Sequence, residues 1–154
     1  FDLEEPLPET AITYDRPILW GLGWKKTREE FRVDVEIKLV DKIFRSSLTE
    51  KAWGQRDRYC LIAQAVIECI NQIVATPIFS LRGVTVQNYG EFEIAVCLVD
   101  YRNFGKTEGT LIGTALLHDE IYETVARSAL DAMNRKVNYC YSLQREHSEG
   151  KTIH

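Results

Sequence analysis

Residues Phe31 to Leu39 alternate without a break. Phe31, Val33, Val35, Ile37 and Leu39 are apolar, and Arg32, Asp34, Glu36 and Lys38 between them are charged. Successive side chains of a strand point to opposite faces, so the pattern predicts a strand with one face in a core and one in water. That buried face needs a covering layer, which excludes a purely helical chain. The next 35 or so residues supply the layer. Val40-Asp41-Lys42 reads as a turn, and Ile43 to about Lys51 as a more polar strand returning antiparallel. A helix then runs to about Val74, with Ile62, Ala65, Val66, Cys69, Ile70 and Ile73 forming an apolar stripe at three- and four-residue spacing. Asp57 is its expected N-cap. Ala75-Thr76-Pro77 ends it, because the residue before proline is driven out of helical geometry.

The same order then recurs. Phe79 to Gln87 suits a strand, Asn88-Tyr89-Gly90 a turn, and Phe92 to Val99 a second strand. This strand carries Phe92, Ile94, Val96 and Leu98 on one face, and Glu93, Ala95, Cys97 and Val99 on the other. Its second face is thus less polar than that of the Phe31 strand. A loop at Asn103–Lys106 leads to a strand from Thr110 to Leu117, and His118-Asp119 is expected to cap a helix from Glu120 to about Val137. Its stripe is Ile121, Val125, Ala126, Ala129, Leu130 and Met133. A short apolar and glycine-rich segment, Ile18 to Trp24, precedes the first hairpin.

The expected fold is therefore α+β: a two-layer sandwich of two pseudo-repeated strand–hairpin–helix (βββα-like) units with antiparallel sheet. The expected organisation is an extended segment over 1–17, one domain over 18–137 with units at about 18–74 and 79–137, and a polar tail over 138–154. A chain of 154 residues can bury such a core without disulfides or metals.

Composition narrows the function classes. A net charge of −4 argues against broad electrostatic binding to nucleic acid or to anionic membrane. No apolar run approaches a membrane span, and the acidic N-terminus lacks the layout of a signal peptide. Cys60, Cys69, Cys97 and Cys140 match no metal or redox spacing and read as reduced thiols, for which a cytoplasmic location is expected.

The stretch from Ile94 to Leu98, the strand Gly109-Thr110-Leu111-Ile112-Gly113-Thr114-Ala115, and the helix from Asp119 to Arg135 together resemble the C-terminal regulatory domain of the 2-isopropylmalate synthase family. That family sets a V-x-L strand before a G-x-x-x-G-like strand, then an acidic helix start and an A-L-N-R-like helix end. The resemblance is closest over residues 79–137 and holds only in outline over 31–74. It implies two βββα units, a homodimer, and an amino-acid or other small carboxylate effector held between paired units. It carries over neither the catalytic barrel nor leucine specificity. Where the family has a small-residue loop before the first helix, this chain has Ala52-Trp53-Gly54-Gln55-Arg56-Asp57-Arg58, which is bulky and charged.

By position in that pattern, Trp53, Gly54, Gln55 and Arg56 at the first helix start and His118 at the second are the candidate ligand-binding residues. Ordinary capping is the plainer account of the same positions, since every helix must satisfy its first N–H groups. Trp20, Trp24 and Arg58 are candidates for an interface with a protein partner or a second copy. Tryptophans near Lys25, Lys26, Arg28, Arg56 and Arg58 leave a nucleic-acid or transcription-partner module as an alternative. The acidic start of the second helix weighs against it. A small enzyme with an inconspicuous pocket is the remaining alternative. Asp119, Glu120 and Glu123 suit a helix start better than acid–base chemistry, and no nucleophile, phosphate-loop or metal-site motif is present. The expectation is a non-catalytic regulatory or interaction domain, acting as a homodimeric protein-binding scaffold or a small-molecule sensor, without cofactor or metal.

Overall fold

In a computed structural model, the structure describes residues 16–51, 54–75, 78–103 and 106–153. The chain has an α+β fold in which the order strand, strand, strand, helix occurs twice. The first unit is β1 (Ile18–Lys26), β2 (Phe31–Leu39), β3 (Lys42–Glu50) and α1 (Gln55–Val74). The second is β4 (Phe79–Tyr89), β5 (Phe92–Asn103), β6 (Lys106–Leu116) and α2 (Ile121–Ile153). Each unit forms its own antiparallel sheet, in the orders β1-β2-β3 and β4-β5-β6.

The repeat is more exact in register than in residue identity. β1 shifts register between Leu19 and Gly21, and β4 shifts between Leu81 and Gly83. Both carry the triplet Leu-x-Gly, and the leucines pair with the equivalent Ile37 and Val99. A bulge in the same place of the first strand re-aims its end in both sheets.

β2 is buried on alternate residues, with Phe31, Val33, Val35, Ile37 and Leu39 all at 3% exposure or less, as the alternation demands. The helices bury more than one stripe. In α1, Leu61, Ala63, Ile67 and Val74 are buried along with the expected stripe, leaving Gln64, Glu68 and Gln72 in water. The reason is that each helix has several neighbours. α1 packs on β2 and β3, on α2, and on β4 of the other unit; α2 packs on β5 and β6, and touches β1. Both units thereby contribute to one core cluster.

In β5 the structure decides which of two apolar faces goes inward. Ala95, Cys97 and Val99 are buried, while Phe92 is 56% exposed. Ile94, Val96 and Leu98 are half-buried on the outward side. Small residues win because α2 comes so close. A Cβ on Gly113, the partner of Cys97, would lie 2.1 Å from the carbonyl oxygen of Ser128. In the first unit the equivalent contact is a hydrogen bond, from Ser46 Oγ to the carbonyl of Ala65 at 2.6 Å.

Both helix starts differ from the sequence expectation. The N-cap of α1 is Gly54, extended at φ −132°, and Asp57 sits in the first turn, where its charge still favours the helix dipole. At α2 the capping group is Glu120, not His118 or Asp119. Its carboxylate accepts from the N–H of Tyr122 at 2.7 Å and of Glu123 at 2.9 Å. The expected tail over 138–154 also differs, since α2 continues to Ile153. Residues 138–153 contain no proline to stop it, and extending a formed helix costs little per residue.

Candidate functional site

The start of α1 lies beside β4 and makes a cleft of about 470 Å3 lined by Gln55, Arg56, Tyr59, Val84, Thr85, Val86, Asn88 and Glu93. Such a volume is in the range of small-molecule sites. Its position follows from packing. Val84 is fully buried and Val86 packs on the core, which draws β4 against the first turns of the helix. The floor is thus apolar. The lining brings a guanidinium (Arg56) and a carboxylate (Glu93) to one cleft, together with the amides of Gln55 and Asn88. Thr85 pairs with the outward Val96 and turns its hydroxyl to the other face of the sheet, where it accepts from Gln87 Nε2 at 3.3 Å. Gly54 offers no side chain to cap the helix, so the positive end of α1 is uncompensated by its own N-cap. Burial, and then the neighbouring Tyr122, push the Tyr59 phenol above its ordinary range, which keeps it a neutral hydrogen-bond donor.

The start of α2 makes a second cleft, of about 360 Å3, lined by Leu116, His118, Asp119, Glu120, Glu123, Thr124 and Arg127. Here the chemistry is reversed. Glu120 already covers the helix N–H groups, and Arg127 is held by Glu123 at 2.6 Å. His118 therefore faces an acidic cleft, whereas Gln55 and Arg56 line the mixed one. The structure places the candidate ligand residues at two different clefts. Gly54 borders the first as its N-cap; Trp53 lies outside the described residues.

The candidate interface residues are largely engaged within the chain. Trp24 stands edge-on to Tyr122 with ring centroids 4.9 Å apart and lies 5.9 Å from Phe31. Arg58 Nε donates to Tyr122 Oη at 2.8 Å and its guanidinium sits over the Phe31 ring. These contacts tie the first sheet and α1 to the start of α2. Trp20 is 54% exposed, with the Lys38 ammonium 4.3 Å from its ring centroid.

Sequence reasoning missed Tyr59, Thr85, Asn88 and Glu93 as cleft residues. No local pattern marks them, because they become neighbours only when α1 crosses to the other unit's first strand. Among the described residues no group of three or more His, Cys, Asp or Glu side chains could hold a metal ion. The described thiols are poor nucleophiles for a physical reason. Burial pushes Cys60 upward, Cys69 up to about 11 and Cys97 up to about 12.

That protection gives a checkable outcome. Cys69 and Cys97 are expected to resist a thiol reagent near pH 8 in the native protein and to react on unfolding, as read by mass spectrometry. The sign of the pH effect is also fixed. A thiol that keeps its proton when folded and loses it near pH 9 when unfolded favours the unfolded state as pH rises. Stability should therefore fall above about pH 9, by up to about 1.4 kcal/mol per pH unit for each such thiol. Melting curves that stay level from pH 9 to about 11 would contradict it.

No family model and no curated protein matches the chain.

Proposed function

We propose that the chain is a non-catalytic regulatory or interaction domain that works as a homodimeric scaffold and senses a small zwitterion or carboxylate. The observation that carries the reading is the cleft beside α1, where Arg56 and Glu93 flank a floor of Val84 and Val86. An amino acid needs a cationic partner for its carboxylate and an anionic partner for its ammonium, with an apolar surface for its side chain. The mixed rim and apolar floor offer all three, and charge-assisted hydrogen bonds of this kind are the stronger ones. The resemblance to the 2-isopropylmalate synthase regulatory domain favours the same class of effector. The buried, protonated thiols favour binding over nucleophilic catalysis.

A thermal-shift screen of amino acids and short carboxylates tests the reading. At least one is expected to stabilise the protein in a saturable way. Arg56→Glu should weaken that ligand by about tenfold or more, the loss of one charge-assisted contact. Glu93→Gln should weaken a zwitterion but spare a plain carboxylate. A folded protein that responds to no member of the panel would count against a sensor.

A further inference from the structure

The two sheets have the same topology but opposite outer faces. That of β1-β2-β3 carries Arg32, Asp34, Glu36 and Lys38 on its central strand, with Arg45, Ser47 and Thr49 beside them on β3. These charges are satisfied locally. Arg45 pairs with Glu36 at 2.9 Å, and Asp34 is held below the usual carboxylate range by the Ser47 hydroxyl and by Arg32. The face of β4-β5-β6 carries Phe92, Ile94, Val96 and Leu98 on its central strand, with Leu116 opposite Ile94 and Ile112 opposite Leu98 on β6. Ile112 is 65% exposed and Leu116 46%. None of these six belongs to the core cluster or packs against it. An apolar patch this continuous on one sheet, beside a charged equivalent on the other, marks a contact surface.

We propose that this face docks on the same face of a second copy, so that two chains meet sheet on sheet. Three observations favour a copy over a foreign partner. First, among the described residues the outward side of β5 carries no charge from Phe92 to Leu98; Asp100 and Arg102 lie at one end, where Asp100 is held by Thr110 at 2.9 Å and faces Arg82 at 3.7 Å. Away from that end the face offers a foreign protein no charge pattern to read. Second, a two-fold axis crossing the strands near Val96 sets the Phe92 end of one copy against the Leu98 end of the other, which keeps the two Asp100 carboxylates apart. An isologous contact needs this self-complementarity. Third, the area is adequate. Strands of 11, 12 and 11 residues at ~3.3 Å per residue and ~4.8 Å apart make a face on the order of 500 Å2. Docked over their full outer faces, two such sheets bury on the order of 1,000 Å2, the lower limit for a specific interface.

The inference deepens the homodimer part of the proposed function by naming its surface, and it stands or falls apart from the cleft, whose ligand binding is measured separately. Sedimentation equilibrium of the whole chain from micromolar to sub-millimolar concentration tests it. The wild type should reach twice the chain mass. Val96→Lys and Ile112→Lys should raise the dimer dissociation constant by about tenfold or more, since each buries an unpaired charge in the contact. Thr49→Lys, on the charged face, should leave it unchanged. Ile112→Thr keeps the β-branch and should weaken the dimer without harming the strand, which covers the case of a lysine variant that misfolds. A monomer at every concentration overturns the proposal. So does a dimer indifferent to the substitutions at 96 and 112. A monomer that sediments with phosphatidylcholine–phosphatidylglycerol vesicles overturns it in favour of lipid, and a monomer that dimerises only once residues 1–15 are deleted overturns it in favour of that segment.

Discussion

Gly113→Ala is expected to cost about 3 kcal/mol or more, or to abolish folding, although it adds a single methyl group. The added Cβ would stand 2.1 Å from the Ser128 carbonyl oxygen, 2.3 Å from the Ala132 nitrogen and 2.8 Å from its Cα. All three are main-chain atoms, so no side chain can swing aside to make room. α2 would have to lift from β6, and with it Ser128, Ala129 and Ala132, which are now buried against the sheet. The chain carries its own control. Gly109 lies four residues earlier on the same strand, and among the described residues nothing comes within 4 Å of a Cβ built there. Gly109→Ala should therefore change stability by about 0.5 kcal/mol or less. Urea denaturation of the two variants distinguishes close packing from a general intolerance of this strand. Equal effects at both positions would contradict the close-packing explanation.

Phe31→Ala is the second large effect, at about 3–5 kcal/mol, or a drop in Tm of about 10 °C or more for a chain of this size. Phe31 is 1% exposed and opens β2 at the point where the units meet. Its ring lies 5.6 Å from that of Tyr122, beneath the Arg58 guanidinium and beside Trp24. Removing it empties a cavity and also loosens the Tyr122 ring that both units share. Val35→Ala, equally buried but four residues along β2 and opposite Leu22 rather than Trp24, should cost less, since it removes two methyl groups and no ring contact. Similar melting points for the two variants would show that the aromatic junction adds nothing to simple burial.

How much of this the sequence discloses depends on the range of the interaction. β2 and the stripes of both helices are legible because a strand alternates every second residue and a helix every three to four. The doubled unit is legible for the same reason. Helix caps are less so: Asp57 and Asp119 are better capping residues by type than Gly54 and Glu120, yet the chain enters each helix where the preceding strand delivers it. The inward face of β5 is not legible at all, since both its faces are apolar. Only the approach of α2 at Gly113 selects Ala95, Cys97 and Val99, and turns Phe92, Ile94, Val96 and Leu98 outward. The candidate site divides along the same line. Gln55 and Arg56 are marked by the helix start, which is local. Glu93 and Asn88 reach the cleft through a crossing between units, which no spacing encodes.

The two glycines of β6 acquire a physical reading from that contact. Of the two glycines in Gly109-Thr110-Leu111-Ile112-Gly113, a Cβ on the second would meet helix backbone and a Cβ on the first would meet none of the described residues. A glycine at the second position, before a helix rich in small residues, is what a strand packed hard on a helix requires.

The cleft beside α1 remains the centre of the proposed function, and backbone amide shifts of the labelled chain test it most directly. On titration with the amino acid or carboxylate that most stabilises the protein, saturable shifts are expected at Gln55–Tyr59 and Val84–Glu93, and none in Arg56→Glu. Saturable shifts gathered instead around His118 and Glu123, or none from any effector, would contradict it.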